Sequence, residues 1–415
     1  MENKRHAALG FVFVTVLLDM LAFGIIVPIL PKLITDFLHG NMAKSSEYMG
    51  LFVTTWALMQ FFFSPILGML SDRFGRRPVI LLSNFGLGLD YVVMALAPTI
   101  GWLFVGRIAS GICSSSMPTA TAYISDVTPP EKRARAFGIF GAAFGFGFVL
   151  GPAIGGWLGA MSARLPFWVA AALSLLNAMY GFFVLPESLA KENRQPRLNW
   201  IKANPVGALK LLRSHRELFG LAAVNFLAYL AHEVYATVYV LYVMYRYNWD
   251  EKAIGNSLAV VGIASVITMA GLVGPTVNRF GERRTLFAGL FFGGLGFAMF
   301  GWAPVGWAFV VAIVVNALWG LGTAPSQSMM TRRVSASEQG QLQGALSSLR
   351  GLAMIFGPQL FAQTFALSIA RNRNLPGVPW YLAALLLLIS LAIAVKVTAG
   401  APVSEASPEQ EAVAS

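Results

Sequence analysis

Charge is scarce in this chain: Asp, Glu, Lys and Arg make up 12% of its 415 residues, against 56% hydrophobic ones. A water-soluble fold of that length needs a charged shell, and too few ionised groups are present to build one. Long polar stretches are also few; the longest internal one runs over 186–216. A single cysteine, Cys113, excludes an internal disulfide and a cysteine-based metal centre. No GxxxxGK[ST] segment exists for ATP use, and no HExxH, GxSxG or metal-ligand cluster for hydrolytic or metal chemistry. The first apolar run continues into Ile29-Leu30-Pro31-Lys32, without a small-residue cleavage pattern, so no cleavable signal is expected. These absences point to an integral membrane protein that is not an enzyme.

Twelve apolar runs are present, at roughly 8–30, 47–70, 79–97, 100–123, 134–159, 167–185, 217–244, 254–277, 285–303, 305–330, 340–368 and 379–397. About 20 apolar residues span a bilayer core as a helix, and unpaired backbone groups in hydrocarbon make helices obligatory for runs this long. A net charge of +11 raises nucleic acid as a partner, but its placement argues against that. Most Lys and Arg residues fall in loops of one side, among them 73–77, 132–135, 191–216 and 279–284. The opposite side holds only Lys32, Lys44, Arg164, Arg246, Lys252, Arg371 and Arg373, while Arg107 and Arg350 lie inside spans. The positive-inside rule then puts both termini in the cytoplasm, and the lipid bilayer rather than nucleic acid is the partner.

One constant offset carries Arg73-Phe74-Gly75 onto Arg279-Phe280-Gly281, Ala97-Pro98 onto Ala303-Pro304, Gly138 onto Gly344 and Gly151-Pro152 onto Gly357-Pro358. The chain is therefore expected to be all-α, with two pseudo-symmetric six-helix bundles and a transport site between them. The bundles are placed at 1–185 and 217–398, joined by a cytoplasmic linker at 186–216 with a short surface helix at 205–213. A disordered cytoplasmic tail is expected at 399–415.

Several segments together carry a resemblance: LDMLAFGIIVPILP (18–31), SDRFGRRP (71–78), GRIASGI (106–112), AYISDVTPPEKRARAFG (122–138), GFVLGPAIGG (147–156) and QGQLQGALSSL (339–349). The chain resembles the major facilitator superfamily, and within it the twelve-helix drug:proton antiporters of the tetracycline-efflux type. The resemblance implies a proton-coupled antiporter of a bacterial inner membrane that exports tetracycline or another amphipathic drug. It implies no cofactor beyond the coupling proton, a small-molecule substrate, and function as a monomer. A metabolite or sugar exporter, or a proton symporter on the same fold, is the second reading. A non-transporting sensor or intramembrane enzyme is a third, disfavoured by the intact motifs.

In the 68–78 loop, Gly68 is expected to let span two approach a neighbour, and Arg73 and Arg77 to anchor the loop in the cytoplasm. The resemblance makes Asp72 a latch that caps a helix of the other half and interacts with a nearby arginine and Asp126; the second copy has Asn278 instead. Gly147, Gly151, Pro152 and Gly155 match the antiporter signature, with glycines four apart on one helix face.

An ionised carboxylate at the bilayer centre costs about 2.5–3.5 kcal/mol on insertion scales, so Asp19 and Asp90 are proton-coupling candidates. Both match acids on the substrate path of the tetracycline exporters, Arg107 matches their buried arginine, and Gln60 a polar cavity position. The resemblance fails in the second half. Where those exporters carry an acid and a histidine, this chain has Gly293 and Ser265, and it adds His232, Glu233 and Arg350 inside spans. Glu233 is either a counter-ion for Arg350 or a relocated titratable group. His232, Tyr235, Tyr239 and Trp319 are candidate substrate contacts in a cavity lined by spans one, four, seven and ten.

Overall fold

The computed structural model describes residues 2–114, 117–129, 132–194, 212, 216–335, 338–370 and 375–399. Most of the 186–216 linker, the surface helix expected at 205–213 and the tail from 400 onward lie outside the described residues.

The described chain is built of helices joined by short turns. Span one is Glu2–Ile26, followed after a turn by Leu30–Phe37; span two is Met42–Phe74 and span three Arg76–Leu96. Span four is Ile100–Cys113 with Met117–Val127, span five Arg133–Met161, and span six Leu165–Val184. Span seven is Arg216–Thr237 with Tyr239–Tyr247, and span eight Glu251–Val266 continuing through a π-helical stretch at Ile267–Leu272. The helix Val273–Trp302 completes span eight and forms span nine. Span ten runs from Gly306–Ala317 through Leu318–Gly322 to Thr323–Thr331, span eleven is Gln339–Ala370 and span twelve Val378–Val397.

Ten helices are long and apolar enough to cross a membrane, and two details raise the number of passes to twelve. The continuous run Glu251–Trp302 has 52 residues. As one rod, at about 1.5 Å per residue, it would exceed twice the hydrocarbon thickness. Gly281, at φ 78°, breaks it into two antiparallel passes. The fourth pass is divided between Ile100–Cys113 and Met117–Val127, each too short to cross alone. Gly75 does for spans two and three, at φ 106°, what Gly281 does for eight and nine. Both turns demand a backbone conformation that glycine adopts at little cost.

Packing follows the repeat. Spans one and five pair as seven and eleven do, and three and six as nine and twelve. The halves meet chiefly along two seams, span two against eleven and span five against eight, with span seven also touching span two and Leu30–Phe37. Each seam is the pseudo-symmetric image of the other. Going round the centre, the contacts run one, five, eight, ten, seven, eleven, two, four and back to one. The central space therefore has an eight-span wall, wider than the four-span lining expected from the sequence. Spans three, six, nine and twelve stand outside it.

The seams are closed on one side only. At the face away from the basic loops, Ser46 donates to the Ala362 carbonyl at 2.8 Å and Thr54 to that of Ile355 at 3.2 Å. Gly351 seats the Phe61 ring, and Gly255 lies against the Pro152 carbonyl and Gly156 Cα. Toward the basic face, Gly68, Gly138, Gly274 and Gly340 have no atom of another described element within 4 Å where a side chain would begin. The two bundles thus splay apart there and enclose a vestibule open at the basic face.

Candidate functional site: a vestibule between two bundles

The antiporter glycines are divided between two partners. Gly147 lies on Met20 and Leu21, Gly151 on Gly24, and Gly155 on the Ile25 carbonyl, so all three face span one within the first bundle. One residue further round, Gly156 and the carbonyl of Pro152 face span eight across the seam. Span five therefore offers one side-chain-free stripe to its own bundle and another to the opposite one. Lys32 and Glu251 close the same seam with an ion pair between the halves. Lys252 adds its ammonium over the Trp157 ring at 4.1 Å. Sequence reading missed this pair because both residues sit at span ends, and their sequence separation gives no spacing signal.

Asp19, Asp90 and Arg107 gather inside the first bundle, around the Tyr91 ring of span three, which feels the charge of all three. Asn177 of span six donates to Asp19 Oδ1 at 2.9 Å and to the Thr15 carbonyl at 3.1 Å. Asp90 is only 2% exposed, and no hydrogen bond within 3.5 Å reaches its carboxyl oxygens among the described residues, although the Ser110 hydroxyl lies close enough to act on it. Arg107 is the cation acting on it, yet no ion pair within 4 Å joins them among the described residues. Arg107 Nε is also buried without a partner, and its guanidinium lies 5.7 Å from the centre of the Trp56 ring. The expected Arg107–carboxylate contact is therefore not made in this state. A buried carboxylate left ionised without a hydrogen bond costs several kcal/mol, and binding a proton removes that cost. Asn177 and Tyr91 escaped sequence reading because isolated polar residues in spans carry no spacing signal.

The second bundle supplies an aromatic wall. His232 is exposed at mid-span, with its ring 5.6 Å from both Tyr235 and Trp319. Tyr235 donates its hydroxyl to Asn316 Oδ1 at 2.6 Å, and Asn316 donates in turn to the Gly293 carbonyl at 3.0 Å. Gly293, where the resemblance implies an acid, leaves the room that Trp319 fills: a side chain there would meet the indole at 2.8 Å. Tyr239 corrects the expectation of a substrate contact. It is fully buried, its hydroxyl bonds Ser257 at 3.0 Å, and its ring belongs to a core cluster with Phe309 and Trp380. Glu233 is buried with its stem against Gly357 of span eleven. Arg350 acts on it electrostatically, without an ion pair inside 4 Å among the described residues. Gln60 is half-buried on span two, one residue before the Phe61 that closes the seam.

At the basic face the loop is a charge network centred on Arg76, which sequence reading passed over in favour of its neighbours. Arg76 pairs with Asp72, donates to Ser71 Oγ at 2.7 Å and reaches Asp126 Oδ2 at 3.2 Å. Glu187 accepts the Arg76 backbone N–H at 2.8 Å and that of Arg77 at 3.3 Å, capping span three. Arg77 donates to the Phe182 carbonyl, while Arg73 is exposed with its guanidinium beside the Phe74 ring. Among the described residues, Asp72 thus caps no helix of the other half and Gly68 approaches no neighbour, because the bundles are apart at this face.

The offset that relates the halves carries Arg76 onto Glu282 and Asp126 onto Arg332. These also pair, at 2.7 Å, so the second copy holds the same joint with its charges exchanged. The exchange accounts for Asn278: an aspartate there would sit across the Gly281 turn from Glu282, as Asp72 sits across the Gly75 turn from Arg76, and repel it. Identity searching does not reveal a complementary repeat. Arg76→Glu alone, which sets a third carboxylate beside Asp72 and Asp126, is expected to destabilise the first bundle by about 2 kcal/mol. The triple variant Asp72→Asn, Arg76→Glu, Asp126→Arg, copying the second half, is expected to recover most of that loss. Thermal unfolding of the purified variants measures both.

The architecture and the comparisons agree. The profile of the Major Facilitator Superfamily matches residues 12–358 and, overlapping, 221–412. The tetracycline resistance protein, class C, of Escherichia coli is 38% identical over 94% of this chain and 96% of its own length. The class G protein of Vibrio anguillarum is 37% identical over 91% of this chain and 94% of its own. Among solved structures, the nucleoside transporter NupG superposes with a TM-score of 0.75 over 94% of this chain and 98% of its own, at 14% identity. Two pseudo-symmetric seams, twelve passes and a profile spanning nearly the whole length leave one assignment: the chain is a multi-pass membrane protein of the Major Facilitator Superfamily.

Proposed function

We propose that this protein is a proton-coupled antiporter that exports a drug-like small molecule, tetracycline or another amphipathic compound, by alternating access. The observation that carries this reading is a vestibule open at one face and sealed at the other, beside two carboxyls within the first bundle, Asp19 and Asp90, that are held in no ion pair among the described residues. The relatives named for tetracycline resistance support a drug as cargo. The excess of basic residues in the 73–77, 132–135 and 279–284 loops supports a cytoplasmic position for that face, in a bacterial inner membrane with both termini inside. The described state then faces inward.

Proton and cargo occupy different bundles in this reading. Asp19 and Asp90 take the proton within the first bundle, while His232, Tyr235 and Trp319 offer an apolar, ring-lined surface to the cargo from the second. Protonation from outside relieves the cost of a desolvated carboxylate and favours collapse of the outer opening. Release to the cytoplasm restores the charge and the other state. In that second state the cytoplasmic ends of spans two and eleven meet, and Asp72 comes within reach of the span eleven N-terminus. The proton, with no other cofactor, supplies the driving force, and a monomer suffices.

Exchange predicts a sign. In everted vesicles energised by a proton gradient, adding tetracycline is expected to release protons from the lumen, and a fluorescent pH probe reads the change. Proton uptake accompanying the drug into the same compartment would establish cotransport and overturn the antiport assignment.

A further inference from the structure

Arg350 is an arginine at the depth of the membrane whose side chain is exposed and which makes no ion pair and no hydrogen bond to any described residue. Charges in spans face a bundle interior or a water-filled cavity and normally have a partner. Its direction follows from its neighbours on span eleven. Gly351 faces Phe61 of span two, and Gly357 faces Glu233 of span seven. At about 100° per residue, these two contacts lie about 120° apart round the helix, and Arg350 falls between them. Spans two and seven flank span eleven in the central ring, so this sector looks into the vestibule and the remaining arc toward lipid and span twelve. Of the span two–eleven contacts named above, Gly351 on Phe61 lies nearest the basic face, which places Arg350 toward the closed end of the vestibule.

The surroundings define what such a cation meets. Its field reaches both His232 and Glu233 of span seven. His232 is exposed and continues into the Tyr235 and Trp319 rings. Glu233 is an anion within reach of the Arg350 field, but its stem is pinned on Gly357 and it stops short of an ion pair among the described residues. The guanidinium fork is therefore left for a mobile ligand, and its geometry suits two oxygens of a carboxylate, enolate or sulfonate.

We propose that Arg350 is a specificity-determining residue that receives an anionic group of the cargo, whose planar aromatic body lies on the His232–Tyr235–Trp319 wall. The favoured cargo is thus an aromatic acid or enolate rather than an aromatic cation. This rests on the export reading above, but binding needs no gradient, so equilibrium binding tests recognition apart from transport. The purified full-length protein is titrated by fluorescence anisotropy with two xanthene dyes of similar shape, anionic fluorescein and cationic rhodamine 6G. Wild type is expected to prefer fluorescein at least tenfold. Arg350→Gln is expected to lose that preference while retaining rhodamine 6G affinity, and Arg350→Lys to fall between.

The competing role, a counter-ion fixed for Glu233, has its own signature. If Glu233→Gln combined with Arg350→Gln restores fluorescein binding, or if both dyes weaken equally in Arg350→Gln, the proposal is overturned. Wild type preferring rhodamine 6G, or binding neither dye, overturns it without any variant, so a failure of Arg350→Gln to fold leaves the question decidable. Normal dye discrimination with absent proton exchange in vesicles would instead remove the antiport reading and leave this one standing.

Discussion

Asp19→Asn is expected to uncouple the protein from the proton gradient while leaving it folded in the membrane. Asparagine has the same shape, and Asn177 Nδ2 can still donate to its oxygen, as it now does to Asp19 Oδ1 at 2.9 Å. The packing of span one on span six is therefore kept. What disappears is a group that can exchange a proton. A membrane potential of about 100 mV contributes roughly 2.3 kcal/mol for each charge moved, and tenfold in a concentration ratio corresponds to about 1.4 kcal/mol. Losing one coupled proton should lower the attainable drug gradient by roughly fifty-fold at that potential. Drug-induced proton release in everted vesicles should vanish in parallel, with the amount of protein in the membrane unchanged. Undiminished proton release would take Asp19 out of the coupling path. Asp90→Asn is a sharper companion, because no hydrogen bond reaches either Asp90 oxygen among the described residues. The substitution should stabilise the first bundle even as it reduces exchange.

The passes and their symmetry were legible in the residues because lipid imposes a length on every helix and a repeat leaves identical residues at a fixed offset. The division of a 52-residue run at Gly281 followed from the same logic, since its counterpart Gly75 stands in an obvious turn. Side-chain partnerships were less legible. Asp19 and Asp90 stand out as costly, but a span sequence does not say that Asn177 and Tyr91 from two other helices will surround them. Tyr239 and Tyr235 lie one turn apart, read alike and both pack on Trp380; what separates them is that Tyr239 also meets Phe309 and is fully buried, while Tyr235 stays partly exposed beside the vestibule. Arg76 was hidden among four neighbouring basic or polar residues, and its importance depends on Asp126, which arrives from the end of span four. The conformational state was beyond reach, because the same glycines serve open and closed seams.

Those glycines carry the other large prediction. Gly156 is in backbone contact with the opposite bundle: a Cβ placed on it would lie against the Glu251 carbonyl and 2.9 Å from Gly255 Cα. Neither atom belongs to a flexible side chain, so the seam between spans five and eight cannot yield without separating. Gly156→Leu therefore penalises the state in which the outer face is closed, whereas a state with that seam parted has room for the side chain. Overpacking typically costs about 1–3 kcal/mol, which corresponds to a population shift of roughly 5- to 150-fold toward the outward-facing form. Transport should stop, because the cycle needs both states. A reporter distinguishes this from misfolding. Val149 presses on Gly262 inside the same seam. In a Cys113→Ser background, Val149→Cys should react with a membrane-impermeant maleimide from outside at least tenfold faster once Gly156→Leu is added. Glu251→Gln, which removes the Lys32 ion pair but leaves the glycine contact, should produce a smaller increase. Gly151→Leu is the contrasting case, since Gly151 lies on Gly24 of its own bundle in every state of rigid-body rocking. It should reduce folded protein without changing the accessibility of what remains. If Gly156→Leu leaves both transport and Val149→Cys labelling unchanged, the outer seam is not the gate.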